Sequence, residues 1–310
     1  MPDPSRGLPF IAMRIDEILR ERRPVFSFEF FPPKTDAGEE NLRATLEALR
    51  HDHPEFVSVT YGALGSTRDR TIDIVKWIKQ ELGIEAMAHF TCVGATVDEL
   101  RETLDEIEAA GVDNVLALRG DPPAGEEEWR QTDGGLLYST ELIELLTGNY
   151  GFAVGAAAFP EVHPQAESPD SDIRFLKAKQ DAGASFLITQ LFYDNEFYFD
   201  FVERARRTGV TVPIIPGIMP VTSFRNIKRI TELCESKIPE SLERELEARE
   251  EDEAAVHDLG IAYATLQCMD LLARGAPGVH FYTLNRSPAT RAILAALRAA
   301  QPWTRAAQPV

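Results

Sequence analysis

The sequence predicts an α/β chain folded as a single (β/α)8 TIM barrel, and three observations carry that expectation. Eight short apolar, β-prone runs alternate with helical stretches at a spacing of about 30 residues, the length of one βαβ unit. The 310 residues hold all eight units with no low-complexity segment and no domain-breaking linker. No G-x-G-x-x-G follows the first strand, which weighs against the rival, a doubly wound open sheet.

The first strand is read over residues 25–31 and is stopped by Pro32-Pro33. A helix over 39–50 leads to a strand over 56–61, and a helix over 68–82 to a strand over 86–92. The amphipathic stretch 97–110 is closed by Gly111, a suitable C-cap, before a fourth strand over 115–118. A helix over 140–146 precedes the fifth strand, 152–159; the helix over 172–182, closed by Gly183, precedes the sixth, 186–192. Helix 196–207, followed by Gly209, leads to a seventh strand over 212–215. An extended helical segment over 223–274, containing Pro239, separates this from the eighth strand, 279–284, and a last helix over 289–299. Residues 1–10 and 301–310 are read as tails of one catalytic domain covering 1–310.

Composition narrows the function classes. A net charge of −18 argues against nucleic-acid binding and against docking on anionic membranes, though it leaves room for a small anionic ligand held by a few local cations. Much of the acid lies in Glu240 to Glu253, read as a solvated helix face. Cys92, Cys234 and Cys268 are far apart, without the spacing of a disulfide framework or a metal site. With no signal-peptide pattern and no apolar run long enough for a bilayer, the expectation is a soluble cytoplasmic protein.

The polar residues at the expected strand ends form a ring where barrel enzymes keep their active sites. In order they are Glu29, Thr60, His89, Arg119 with Asp121, Glu161 with His163, Gln190, and Tyr282 with Arg286. Taken singly each has a structural explanation: Glu29 a solvent-facing strand end, His89 a core histidine, Arg119 and Asp121 an ion pair around a turn. Glu29 stands out because it sits among four phenylalanines in Phe26-Ser27-Phe28-Glu29-Phe30-Phe31. A carboxyl buried there would be held neutral by desolvation and could act as a general acid. One Glu and one His in Glu161-Val162-His163 are too little for a metal site, and none is expected.

The motifs Phe28-Glu29-Phe30-Phe31-Pro32-Pro33, Val57-Ser58-Val59-Thr60-Tyr61-Gly62, Leu118-Arg119-Gly120-Asp121-Pro122-Pro123, Phe159-Pro160-Glu161-Val162-His163-Pro164, Ile215-Pro216-Gly217-Ile218-Met219-Pro220 and Phe281-Tyr282-Thr283-Leu284-Asn285-Arg286 occur in this order along the chain. In that order they resemble the bacterial, FAD-dependent methylenetetrahydrofolate reductases. The resemblance implies a (β/α)8 barrel that reduces 5,10-methylenetetrahydrofolate to 5-methyltetrahydrofolate with NADH or NADPH, by a ping-pong course through reduced flavin, supplying methyl groups for methionine synthesis. It implies Glu29 as the general acid. It implies FAD contacts at Thr60, His89, Arg119, Gly120, Asp121, Tyr138, Ser139, Phe159, His163, Ala166, Asp172 and Lys179. It implies substrate contacts at Asp121, Gln190, Asn226, Tyr282 and Arg286, and a dimer or tetramer. The chain departs from the family at Phe159, which replaces a common Tyr, and at Phe175 and Ala178, where some members place polar FAD contacts. Two rival readings are a flavin-dependent barrel oxidoreductase of proline-dehydrogenase type and a catalytically silent flavin- or folate-binding subunit.

Overall fold

All eight expected strand positions carry strand in the computed structural model, which describes residues 13–61, 68–120 and 131–304. The strands are β1 (Val25–Phe30), β2 (Phe56–Val59), β3 (Glu85–Thr91), β4 (Asn114–Leu118), β5 (Ala153–Ala158), β6 (Phe186–Thr189), β7 (Ile214–Ile215), β8 (Gly217–Ile218) and β9 (Gly278–Tyr282). Every neighbouring pair is parallel, in the order β7-β6-β5-β4-β3-β2-β1-β9-β8.

The seventh strand departs from the expected 212–215. It is two dipeptides either side of Pro216, which has no N–H to give to a ladder. β7 pairs with β6, and β8 pairs with β9. The carbonyl of Pro216 accepts from the His280 N–H at 2.9 Å. One continuous segment therefore holds both edges of the sheet, and nine short strands make a closed barrel of eight staves.

The helices around it are α1 (Ile15–Glu21), α2 (Asp36–Arg50), α3 (Arg68–Trp77), α4 (Val97–Ala109), α5 (Ser139–Asn149), α6 (Pro169–Asp181), α7 (Asn195–Arg207), α8 (Phe224–Cys234), α9 (Glu240–Glu247), α10 (Glu253–Ala273) and α11 (Pro288–Ala300). Side-chain caps fix many of their starts: Thr35, Thr96, Ser168, Asp194, Ser223 and Asp252 each accept a backbone N–H from the first turn. The segment expected as one helical stretch over 223–274 is three helices. Glu235 turns left-handed (φ 53°) to end α8, Pro239 precedes α9, and Asp252 caps α10. No helix among the described residues is long and apolar enough to cross a membrane.

The two faces of each strand serve different cores. Phe26, Phe28 and Phe30 point outward and pack with Leu42, Leu46 and Leu49 of α2. The inward set is Val25, Phe56, Met87, Leu116, Ala153, Phe186, Ile188 and Ile215, which fills the lower half of the barrel. α1, which the sequence reading left without structure, closes the bottom: Ile15, Ile18 and Leu19 are buried against that inward set. Polar groups lock it there. The Ile15 N–H donates to Asn114 Oδ1 (2.8 Å), Asn114 Nδ2 donates to Glu85 Oε1 (2.9 Å), and Lys79 Nζ lies 3.0 Å from the same oxygen. A floor of this kind leaves only the strand C-termini open to solvent.

Because Ile18 is 3% exposed, Ile18→Ala is expected to cost about 2–5 kcal/mol of unfolding free energy. Urea denaturation checks this. A loss below about 1 kcal/mol would show that α1 is only laid against the barrel.

Candidate active site

Strand alternation decides what surrounds Glu29. Its phenylalanine neighbours lie on the outer face, so the apolar setting expected for this carboxyl is not the one it has. Glu29 points into the barrel, where the parallel registers Ser27–His280 and Glu29–Tyr282 bring β9 alongside. Its Oε2 lies 3.4 Å from His89 Nε2 and 3.5 Å from His280 Nε2. His280 is fully buried, rests on the Phe56 ring, and bonds Ser27 Oγ through Nδ1 at 2.8 Å. The cluster is thus one carboxyl, two imidazoles and one hydroxyl.

Burial pushes the Glu29 carboxyl up, but the charge of His89 and the hydrogen bond and charge of His280 outweigh it. The carboxyl lies below its ordinary range, which corrects the expectation of a carboxyl held neutral by desolvation. Burial holds His89 down in turn, with Glu29 opposing. Groups this close share their protons, so one added proton belongs to the cluster rather than to one member.

A cavity of about 470 Å³ opens above this cluster. Glu29, Thr60, His89, Arg119, Gly120, Ser139, Phe159, His163, Lys179, Gln190 and Tyr282, all expected from the sequence, line it. Its floor is apolar and small: Leu116, Ala117, Ala157 and Ile188.

The wall away from Glu29 is cationic. Lys179 Nζ donates to the Ala157 carbonyl (2.8 Å) and stands 5.9 Å from the centre of the Phe159 ring, and that ring meets His163 edge-on at 4.4 Å. Arg119 Nη2 donates to Gln165 Oε1 (2.6 Å). The His163 Nδ1 accepts from the Gln165 N–H (3.0 Å), which leaves Nε2 as the nitrogen that carries a proton. The turn that presents His163 is strained. Val162, a β-branched residue, sits at φ 76°, a conformation that costs of order 1–3 kcal/mol and persists where surrounding structure enforces it. Gly120, at φ 95°, supplies the same kind of turn without a side chain to strain.

On the remaining wall, Gln190 Oε1 accepts from the Leu191 N–H (2.9 Å), so its amide nitrogen is the group it offers to a ligand. Tyr282 donates its hydroxyl to the Thr189 carbonyl (2.7 Å) across the split seventh stave. Gly217 makes that possible, since a Cβ there would meet the Tyr282 hydroxyl at 2.7 Å.

Several expected residues stand off the cavity wall. Asp172 is near it, accepting from the His163 N–H (3.2 Å), and Ala166 lies in the same turn. Tyr138 precedes α5 at the rim and is half exposed. Asn226 is exposed on the first turn of α8, and Arg286 is exposed beyond β9; neither reaches the cavity wall. Asp121 lies outside the described residues. His280 and Ser27 were missed by sequence reading. The signal was there, since each sits two residues before a flagged residue on the same strand face, but it needed the β1–β9 pairing to be heard.

These groups suit proton transfer on one side of a partly apolar cavity and anion binding on the other. Burial pushes the Cys92 thiol up to about 11, which disfavours its thiolate form. Among the described residues no group of His, Cys, Asp and Glu could hold a metal ion.

A family model described as methylenetetrahydrofolate reductase matches residues 14–298. The chain is 40% identical over 268 residues to the 5,10-methylenetetrahydrofolate reductase of Escherichia coli, covering 86% of this chain and 88% of that one. It is 39% identical over 295 residues to a probable methylenetetrahydrofolate reductase (NADH) of Oryza sativa, covering 92% of this chain and 50% of the rice protein. The chain thus spans about half the length of the plant relatives it matches. In fold it is similar to a Clostridium thermocellum protein described as binding two copies of 5-methyl-5,6,7,8-tetrahydrofolic acid, with a TM-score of 0.61 at 18% identity over 93% of this chain and 99% of that one.

Burial lowers the Lys179 ammonium to about 8, with Asp172 opposing and Arg119 reinforcing. The charged form is present below that value and lost above it. Binding of inorganic pyrophosphate is therefore expected to weaken as pH rises through and beyond 8, the bound anion moving the midpoint upward. Calorimetric titrations from pH 7 to 9.5 check this, with Lys179→Met expected to flatten the dependence. A parent affinity that does not change over that range would remove Lys179 from the anion site.

Proposed function

Because the chain belongs to the methylenetetrahydrofolate reductase family, we propose that it reduces 5,10-methylenetetrahydrofolate to 5-methyltetrahydrofolate with NADH or NADPH, and that it holds FAD as cofactor. The chain would act as one catalytic domain. The observation that carries this reading is the opposition inside one cavity of an acid–base cluster, Glu29 with His89 and His280, to a wall of donors, the cations Arg119 and Lys179 with the neutral His163.

The cavity lining suits the ring and pyrophosphate of a flavin cofactor. Its floor of Leu116, Ala117, Ala157 and Ile188 is flat enough in side-chain size for a fused ring, and Arg119, His163 and Lys179 are donors suited to a pyrophosphate. When bound, the flavin supplies two-electron transfer between the nicotinamide and the folate.

The protein's own part is positioning and proton transfer. Opening the folate's five-membered ring needs a proton on its departing nitrogen, and Glu29 is the carboxyl lining the cavity that can give it. A proton on His280 Nε2, facing the Glu29 carboxylate, would leave Nδ1 to accept from the Ser27 hydroxyl and so fix that tautomer. A substrate lying over the mouth excludes water, and desolvation, the largest single influence on Glu29, then rises and shifts the proton onto the carboxyl. Gln190 offers its amide nitrogen to the folate and, in turn, to the nicotinamide. Thr60, Gly120, Ser139, Phe159, Asp172, Ala166 and Tyr138 would complete the flavin's surroundings, and Tyr282 the folate's. Asn226 and Arg286 would meet the substrate only through movement or contacts beyond those described above.

Glu29→Gln is expected to retain flavin and its reduction by nicotinamide while slowing folate reduction by roughly 10²–10⁴-fold. Stopped-flow measurement of the two half-reactions separates these effects, and equal losses in both would point to a folding or cofactor defect. Gln190→Glu is expected to weaken the folate half-reaction and to alter the nicotinamide one as well. An unchanged folate rate in that variant would take Gln190 out of the site.

A further inference from the structure

Glu161 belongs to the segment Phe159-Pro160-Glu161-Val162-His163-Pro164, yet it does not line the cavity to which Phe159 and His163 contribute. Its carboxylate turns to another partner. Both oxygens accept the backbone N–H of Lys237, at 3.2 and 3.1 Å, in the connection between α8 and α9. That connection is itself held, because Ser236 Oγ donates to the Leu191 carbonyl (2.9 Å) just beyond β6. Glu161 thus ties the loop after β5 to a fixed point 76 residues further along the chain. Between Glu161 and His163 stands Val162 at φ 76°. A β-branched residue is strongly disfavoured there, and an untethered chain would return it to negative φ. That rotation turns the backbone on one side of Val162 against the other, and the His163 ring turns with it. Two side-chain bonds oppose it, one on each side. The His163 N–H donates to Asp172 Oδ2 (3.2 Å), and Glu161 holds Lys237. The bond from the Val162 N–H to the Phe159 carbonyl (3.1 Å) is internal to the turn and can move with it.

We infer that Glu161 is a positioning residue: by gripping the α8–α9 connection it holds Val162 left-handed and so aims His163 Nε2 into the cavity. The inference rests on the flavin reading above, in which His163 is a donor to the pyrophosphate. Glu161 itself touches no ligand. Its grip needs an acceptor of the right reach rather than a charge, because the partner is a neutral backbone N–H. An amide at 161 can make the same bond through its oxygen, whereas an aspartate falls a methylene short.

The full chain, freed of flavin and checked for fold by circular dichroism, is titrated with FAD, following flavin fluorescence. Glu161→Ala and Glu161→Asp are each expected to weaken FAD binding about tenfold, the worth of one ordinary hydrogen bond from His163, and Glu161→Gln to keep the parent affinity. Adding Val162→Gly to Glu161→Ala should restore most of the loss, since glycine holds φ 76° without strain. In a His163→Ala background, itself about tenfold weaker, Glu161→Ala should add less than about a twofold loss, because the two residues act as one. Parent affinity in Glu161→Ala would overturn the assignment. So would a second loss of about tenfold in the His163→Ala background, or failure of Val162→Gly to restore binding, since either gives Glu161 a role that does not run through His163. Should the alanine variant not fold, the aspartate and glutamine variants decide alone, and equal affinities in these two would overturn the assignment. Parent binding that His163→Ala leaves untouched would overturn this inference and spare the flavin reading, whereas failure of the parent to bind FAD would overturn both.

Discussion

Everything at the catalytic end depends on the period of two in a closed parallel sheet. In each stave, alternate side chains go to the helices or to the barrel axis, and closure removes any third choice. That is why Glu29 can stand between Phe28 and Phe30 in sequence and point to the opposite face of the sheet from both. It is also why His89 and His280, from two different staves, arrive within 3.5 Å of one carboxylate oxygen. The closure itself is made by five residues, Ile214 to Ile218, in which Pro216 breaks one ladder so that the two halves can pair with different neighbours.

The interior is layered along the axis, and the layers have separate tasks. At the bottom, α1 and the Lys79–Glu85–Asn114 group seal the barrel with satisfied polar contacts. In the middle, Phe56, Met87, Leu116, Phe186 and Ile188 exclude water. The cluster of Glu29, His89 and His280 rests directly on that dry layer, through the Phe56 ring below His280. A carboxyl so placed feels both strong desolvation and strong nearby charge. Its protonation can therefore be moved by a change in either, which a solvent-exposed carboxylate would not allow.

Strain is confined to the rim. Val162, in the turn after β5, and Leu284, after β9, hold left-handed conformations that their residue types do not favour, and Asn285, a type that tolerates it, continues the second turn in the same conformation. Asn285 offsets part of this by bonding both the N–H and the carbonyl of Phe31 (2.9 and 2.8 Å), which ties the β9 exit to the β1 exit. These turns are where side chains must be aimed at a ligand rather than at a core.

Local signals in the sequence determined a great deal. Alternating strands and helices announced a barrel, Pro32-Pro33 and the helix caps placed its boundaries, and polar strand ends named seven residues that do line one cavity, to which the family resemblance added Gly120, Ser139, Phe159 and Lys179. These succeed because apolar periodicity and caps act over a few residues. What tertiary structure decided involves residues far apart in the chain. His280 stands 251 residues from Glu29, and only the β1–β9 register makes them neighbours. The burial of α1 needed a barrel bottom to close, and the split at Pro216 needed two edges to join. The ionisation of Glu29 was misread from its sequence neighbours for the same reason. A pKa is set by what surrounds a group in space, and in a barrel strand the adjacent residues face the other way.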